Sequence, residues 1–182
     1  MLQTYSSKRK CISLKRQACL FLAFLCLFFT SWNAASAEDT FHFDTTREIA
    51  AYLDEAGVKY TVLEGSDSVD VLAAAYTPAT SKELEQIVVQ IYAYEASASI
   101  RVGPALQPDT SDMLQLYQNL ESVNDSVSFV RFIYNTQNGS IYPCIEIPYV
   151  KDAEFGHMVE RNMYIAALIM DQHYDELVAM FQ

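Results

Sequence analysis

The chain has 182 residues, four cysteines and a formal net charge of −11. All 23 acidic residues lie beyond residue 37, together with seven of the 12 basic residues, so that part of the chain has a formal charge of −16. An excess of negative charge this large repels phosphates and anionic lipids, so we expect neither nucleic acid nor an anionic membrane surface as a partner.

The first 37 residues have the three regions of a cleavable signal peptide. Five basic residues between positions 8 and 16 precede an apolar run at residues 18–29, and Ala35 and Ala37 stand just before Glu38. The run is shorter than the roughly 20 residues that a membrane-spanning helix needs. We therefore expect cleavage between Ala37 and Glu38 and export to the periplasm or the cell exterior. The alternative is that the segment is not cleaved and serves as a membrane anchor extending to Trp32. We expect contact with a membrane only through such an anchor.

Residues 38–182 are predicted to form one domain. A chain of this length can bury a single core, and no Pro/Gly/Ser-rich linker divides it. Cys144 is the one cysteine beyond the signal segment, so this part can form no internal disulfide. We expect its thiol to be buried as a small apolar group, since Ile145 and Ile147 follow it. The alternative is a disulfide with another chain.

The first predicted element is a helix over residues 46–56. Thr45 and Glu48 have the spacing of a capping box, and Gly57 is suited to end the helix. Strands are then predicted over residues 58–64, 69–76 and 86–94, and residues 96–102 are compatible with a further short strand after a bend.

The second half of the chain is predicted to contain a helix, a hairpin and a last helix. The helices cover residues 111–123 and 151–181, the latter with a break near Asp171. The hairpin joins residues 127–135 to 140–150 around Asn138-Gly139. Pro143 has no amide proton, which places its strand at a sheet edge or at a bulge.

These elements predict an α+β fold in the order α-β-β-β-α-β-β-α. The strands are too close in sequence for parallel crossovers, so we expect a mainly antiparallel sheet with flanking helices. The predicted core joins Leu53, Leu116, Leu120, Phe132 and Ile165.

No catalytic, cofactor-binding or metal-binding residue is assigned, because no known motif is present. The sequence has no Gly-x-Ser-x-Gly elbow, phosphate loop or dinucleotide fingerprint. Glu154, His157 and Glu160 share a helical face, but one Glu-x-x-His is only half of a di-iron site, so a solvated helix face is favoured. Pairing of Cys144 with a histidine is disfavoured by its place in a strand.

Tyrosine is frequent, and Tyr92 and Tyr94 share one face of a predicted strand. Tyrosines provide contact area at low entropic cost, which is typical of binding surfaces. The alternative is ordinary packing between a sheet and a helix, since aromatic residues favour strands in any case.

The order of elements resembles the YbjN family of bacterial sensory transduction regulators, whose fold is similar to that of type III secretion chaperones. The resemblance covers most of residues 44–182. It rests on residues 49–60, on residues 116–124 with Asn124 at the helix end, on residues 129–134 with the Asn138-Gly139 turn, and on the long last helix. It implies a small, often dimeric, binding or chaperone-like domain with no established active site. Secretion chaperones act in the cytoplasm, and this chain departs from them in carrying an export signal.

The expected function is therefore that of an exported, non-enzymatic interaction domain with a chaperone-like or regulatory role. Its expected partner is a protein or a second copy of the chain. The alternative is an enzyme of unrecognised type acting outside the cytoplasm, because catalytic residues can be scattered along a sequence.

The last helix carries a predicted self-association face. Residues 163–170 are apolar around the whole circumference, whereas a helix on a sheet needs one apolar stripe. We expect a symmetric dimer that buries part of this helix. The candidate contact residues are Met163, Ile165, Leu168 and Ile169. The alternative is that the second helix covers the same surface within one chain.

Overall fold

The computed structural model describes residues 41–151 and 154–181. The predicted signal segment and its cleavage point at Ala37 and Glu38 lie outside the described residues. The described elements, in chain order, are α1 (Asp44–Glu55), β1 (Tyr60–Ser66), β2 (Val69–Tyr76), β3 (Ile87–Tyr94), β4 (Ser97–Gly103), α2 (Met113–Ser126), β5 (Arg131–Asn135), β6 (Ser140–Pro148) and α3 (Phe155–Phe181).

The six strands form one sheet in the order β1-β2-β3-β4-β6-β5, and every neighbouring pair is antiparallel. The predicted α+β class with a mainly antiparallel sheet is confirmed. Four strands, rather than three, precede α2, because residues 97–103 form a full strand. The hairpin of β5 and β6 joins the sheet through β6, its second strand.

The three helices lie against one side of the sheet. Leu72, Ile91, Ile100 and Ile145 follow one another across four strands and are buried. α3 crosses β3, β4 and β6, α1 packs on β3 and α3, and α2 packs on β5 and α3. Four residues of the predicted core are buried: Leu53, Leu116, Leu120 and Phe132. The fifth, Ile165, is half-buried.

The predicted capping box of α1 is wrong. The Thr45 hydroxyl donates instead to the backbone carbonyl of Tyr94, 2.6 Å away. Glu48 accepts a hydrogen bond from the backbone amide of Phe155, at 3.0 Å. Both side chains therefore tie α1 to neighbouring elements, which a local sequence pattern cannot reveal.

The N-terminus of α1 is held by Asp70, a buried carboxylate on β2. It accepts hydrogen bonds from the backbone amides of His42 and Phe43 and from the Thr46 hydroxyl. Its other oxygen lies 2.7 Å from Nδ1 of His42. Burial raises the pKa of Asp70, but the hydrogen bonds from His42, Thr46 and the backbone amides outweigh it, so the pKa is lowered. Asp70 thus fixes the chain where it enters α1, including the N-cap amide of Phe43.

Pro143 lies on an inner strand, so of the two predicted positions, a sheet edge or a bulge, the edge is wrong. The pairing of β6 with β4 stops at Arg101–Cys144 and continues only as a bridge between Leu106 and Ile141. Pro143 falls within this interruption of the ladder. A residue without an amide proton is tolerated there because no regular β4 partner faces it.

Asn124, at the end of α2, binds the outer side of β5. Its side-chain oxygen accepts from the amide of Phe132 at 2.7 Å, and its side-chain nitrogen donates to the Phe132 carbonyl at 3.0 Å. Both backbone polar groups of Phe132 are satisfied by one side chain. This contact fixes α2 against the last strand of the sheet.

α3 is continuous over 27 residues, so the break predicted near Asp171 is wrong. Asp171 is buried, and its carboxylate accepts hydrogen bonds from the backbone amides of Ala79, Thr80 and Ser81. These hydrogen bonds, led by that of Ser81, lower the pKa of Asp171 despite its burial. The residue fastens the loop between β2 and β3 to the helix.

Gly156 marks the closest approach of α1 and α3. A Cβ at this position would lie 2.8 Å from the Glu48 carbonyl oxygen and 2.5 Å from Cβ of Tyr52. We expect Gly156→Ala to lower the free energy of unfolding, because overpacking costs about 1–3 kcal/mol. The better helix propensity of alanine offsets at most about 1 kcal/mol. Urea denaturation measures the difference.

Gly103→Ala is the matched control for this prediction. A Cβ there meets no atom closer than 3.8 Å, so we expect a change within about 0.5 kcal/mol. Equal stabilities of the two variants would contradict the close helix contact.

Candidate interaction surface on the open face of the sheet

The side of the sheet opposite the three helices carries no helix among the described residues, and we call it the open face. Side chains alternate between the two sides of a strand, so the strand registers decide which residues point to it. Its main residues are Leu63, Val71, Ala73, Ala75, Val88, Gln90, Tyr92, Tyr94, Ser99, Arg101, Arg131, Ile133, Tyr142, Cys144 and Glu146. The open face spans all six strands.

The open face differs in charge from the chain as a whole. Of the chain's 23 acidic residues, the registers of the six strands place only Glu146 on it. Arg101 and Arg131 also lie there, each opposite Cys144 on one side of β6. Its formal charge is therefore slightly positive in a strongly acidic chain. An acidic partner is therefore repelled less by the open face than by a surface that carries the average negative charge of the chain.

Two tyrosines border Arg101 near the centre of the open face. The guanidinium carbon lies 4.2 Å from the ring centroid of Tyr92 and 5.4 Å from that of Tyr142. Both distances are within the range of a cation–π interaction. Strand pairing explains the arrangement, because Tyr92 and Tyr142 occupy diagonal positions on the two strands that flank Arg101.

Cys144 is buried beneath this group, and the burial predicted for it is confirmed. Its sulfur lies 3.4 Å from the Ser99 hydroxyl and 3.4 Å from a carboxylate oxygen of Glu146. Burial is the main cause that raises the pKa of the thiol. A thiol with a raised pKa is a weak nucleophile at neutral pH, so the surroundings of Cys144 favour a structural role.

Tyr92 and Tyr94 lie half-buried on the open face. The alternative interpretation, in which they fill the interface between sheet and helices, is wrong. The alternating pattern of β3 separates them from its buried residues: Ile87, Val89, Ile91 and Ala93. Both tyrosines are therefore available on the side of the sheet where no described helix packs.

The residues of the predicted self-association face differ in burial. Met163 is completely buried within one chain and cannot belong to a surface. Ile165 and Ile169 are half-buried, and Leu168 is 38% exposed. Met163 and Met170 are both completely buried within the chain, which accounts for part of the apolar circumference of α3. Self-association through the Leu168 side of α3 stays a prediction.

Glu154, His157 and Glu160 lie at the start of α3. Nδ1 of His157 is 3.6 Å from a carboxylate oxygen of Glu154, and the His157 ring packs beside Tyr52. Among residues 41–151 and 154–181, no three histidine, cysteine or acidic side chains are grouped so that they could hold a metal ion.

Sequence reasoning missed Arg101 as a site residue. A basic residue within a strand of an acidic chain is a usable signal, but the two tyrosines beside it come from different strands. Their meeting depends on the register of β3, β4 and β6.

Within the described part of the chain, no helix has the length and apolar character needed to span a membrane. Comparisons with protein-family models, with curated proteins and with solved structures find no match for this chain.

Proposed function

We propose that the chain is an exported, non-enzymatic interaction domain of the YbjN type, with a chaperone-like or regulatory role, and that it binds a protein partner through the open face. The observation that carries this proposal is the open face itself. It is a broad sheet surface without a covering helix among the described residues, and it holds one carboxylate of an acidic chain.

The size of the open face supports binding to a protein. Six strands spaced about 4.8 Å apart, each with five to nine residues, cover roughly 25 by 20 Å. That area, on the order of 500–600 Å², approaches the roughly 800 Å² that each partner buries in a standard interface. A partner that also contacts the loops around the sheet would reach that value.

The composition of the open face supports the same proposal. Tyrosines and arginines are enriched in protein interfaces, and the face contains Tyr92, Tyr94 and Tyr142 beside Arg101. Small or aliphatic residues, such as Ala73 and Val88, lie around them and leave the surface flat. A flat, weakly charged surface with aromatic side chains suits contact with another protein chain.

We expect Ala75→Glu to weaken partner capture at least tenfold, because it adds a buried negative charge to the interface. Ala75 is exposed on β2 of the open face. The full-length chain is expressed, and the exported protein is immobilised and exposed to proteins from the same cell compartment. Quantitative mass spectrometry compares capture by variant and wild type.

The matched control is Ala179→Glu, the same change at an exposed alanine on α3. It should leave capture unchanged, because it lies on the helix side. Equal losses in the two variants, or loss in the control alone, would contradict binding through the open face.

A further inference from the structure

Arg101 has hydrogen-bonding capacity that the described residues leave unused. Its Nε is buried and has no hydrogen-bond partner. The Arg101 side chain as a whole is half-buried, so part of it is open to solvent. No carboxylate of the described residues lies within ion-pair distance of Arg101. Among the described residues, the guanidinium is held by contacts with Tyr92 and Tyr142.

An arginine in this setting favours an incoming anion. The two tyrosine rings fix the position of the guanidinium and exclude water from its faces. Less conformational entropy of the side chain is therefore lost when an anion binds. Electrostatic attraction is stronger where water is displaced. Arg131 lies across Cys144 in the same row of the sheet and adds a second positive charge.

We propose that Arg101, held between Tyr92 and Tyr142, binds a carboxylate group of the partner protein, and that apolar side chains flank this carboxylate in the partner. The proposal deepens the proposed function of the open face and rests on it. The carboxylate binds the terminal nitrogens of the guanidinium, whose planar arrangement matches two carboxylate oxygens.

The charge around Arg101 favours a single carboxylate over a phosphate or an acidic run. Glu146 is on the same face, one register position from Arg101, and it would repel a dianion more than a monoanion. The remaining acidic residues of the chain would repel a segment with many negative charges. Around Arg101 the open face offers Ala73, Val88 and the tyrosine rings, which suit apolar neighbours of the carboxylate.

The test uses the isotope-labelled exported protein and small probes that isolate the chemistry. 3-Phenylpropionate supplies a carboxylate beside an apolar ring, 3-phenylpropanol is its neutral counterpart, and inorganic phosphate, used at a pH above its second pKa, is mainly a dianion. NMR follows the side-chain Nε–H resonance of Arg101 and the backbone amides of β3, β4 and β6. We expect 3-phenylpropionate to shift these resonances in a saturable way, with much smaller shifts from the other two probes.

Two variants of Arg101 and one control variant test whether Arg101 itself binds 3-phenylpropionate. Arg101→Gln should weaken 3-phenylpropionate binding about tenfold or more, the loss expected for a hydrogen bond to a charged group. Arg101→Lys keeps the charge without the planar fork, and it should also weaken binding. Arg131→Gln should retain most of the affinity. Thermal unfolding establishes that each variant is folded, and the lysine variant decides the outcome if the glutamine variant is not.

Several results would overturn the proposal. Equal shifts with 3-phenylpropanol would show an apolar surface only, and equal affinity for phosphate would show an unselective anion site. Unchanged affinity in Arg101→Lys and Arg101→Gln would also refute it. So would shifts of the open-face resonances with protein concentration alone, because a second copy of the chain would then cover Arg101.

The outcome is separable from that of the proposed function. If Ala75→Glu abolishes partner capture while 3-phenylpropionate fails to bind, the open face is the interface and the carboxylate proposal is wrong. If 3-phenylpropionate binds Arg101 while Ala75→Glu captures partners normally, Arg101 is a carboxylate site, but the binding of a partner protein through the open face is wrong.

Discussion

Replacement of Phe155 by alanine is expected to lower the free energy of unfolding by about 3–5 kcal/mol, the usual loss for a buried phenylalanine. The Phe155 side chain is completely buried at the start of α3. Its ring packs edge-on against Tyr149, with ring centroids 4.9 Å apart, and its backbone amide binds Glu48. Removal of the ring leaves a cavity where α1 and α3 meet. Urea denaturation of the exported protein measures the loss.

The control for Phe155→Ala is the same substitution at Phe129. That side chain is 84% exposed, in a loop where its backbone has a φ of 71°. Phenylalanine and alanine both carry a Cβ, so the positive φ disfavours them to a similar extent. We therefore expect Phe129→Ala to change the free energy of unfolding by no more than about 0.5 kcal/mol. A large loss at Phe129, or a small one at Phe155, would show that the burial of these two rings is misassigned.

Asp171→Asn is expected to lower the free energy of unfolding by about 1.5–3 kcal/mol at neutral pH, the usual contribution of a hydrogen bond to a charged group. The variant replaces the carboxylate that binds the amides of Ala79, Thr80 and Ser81. The loop between β2 and β3 should loosen as well. Hydrogen exchange of these three amides should become faster in the variant.

The effect of Asp171→Asn should depend on pH. The pKa of Asp171 is lower in the folded protein than in the unfolded chain, so the unfolded chain binds more protons in acid. The stabilisation is complete above the unfolded pKa, near about 4, and is lost as the pH falls through the folded pKa. The stability difference between wild type and variant should therefore shrink below about pH 4.

Asp125→Asn is the control for the pH experiment, since Asp125 is exposed on α2. It removes the same formal charge, so it reports the general effect of charge repulsion. A difference between wild type and Asp171→Asn that stays constant down to acid pH, or one that Asp125→Asn reproduces, would contradict the role of the carboxylate.

Most of the fold follows from local patterns in the sequence. β2 covers the residues predicted for it, 69–76, because its apolar run is bounded by turn residues on both sides. Asn138-Gly139 was sufficient to place the last hairpin, and Gly139 has the positive φ that favours glycine there. Close spacing of the strands was sufficient to predict antiparallel pairing.

The errors arise where a side chain binds a residue far away in the sequence. Thr45 and Glu48 have the local spacing of a capping box, but their partners are Tyr94 and Phe155. Met163 lies in an apolar helix whose sheet-facing side cannot be identified from composition alone. The candidate site was missed for the same reason, since Arg101 meets its tyrosines only once three strands are in register.

The contact of Asn124 with Phe132 also determines where the sheet can grow. An unpaired outer strand is a template on which a strand of another chain can add. On β5 the amide and carbonyl of Phe132, which such a strand would need, are already occupied by Asn124. The asparagine side chain thus occupies the place of one residue of a seventh strand and hinders the addition of another strand at this point of β5. The other edge of the sheet is β1, which Asn124 does not reach.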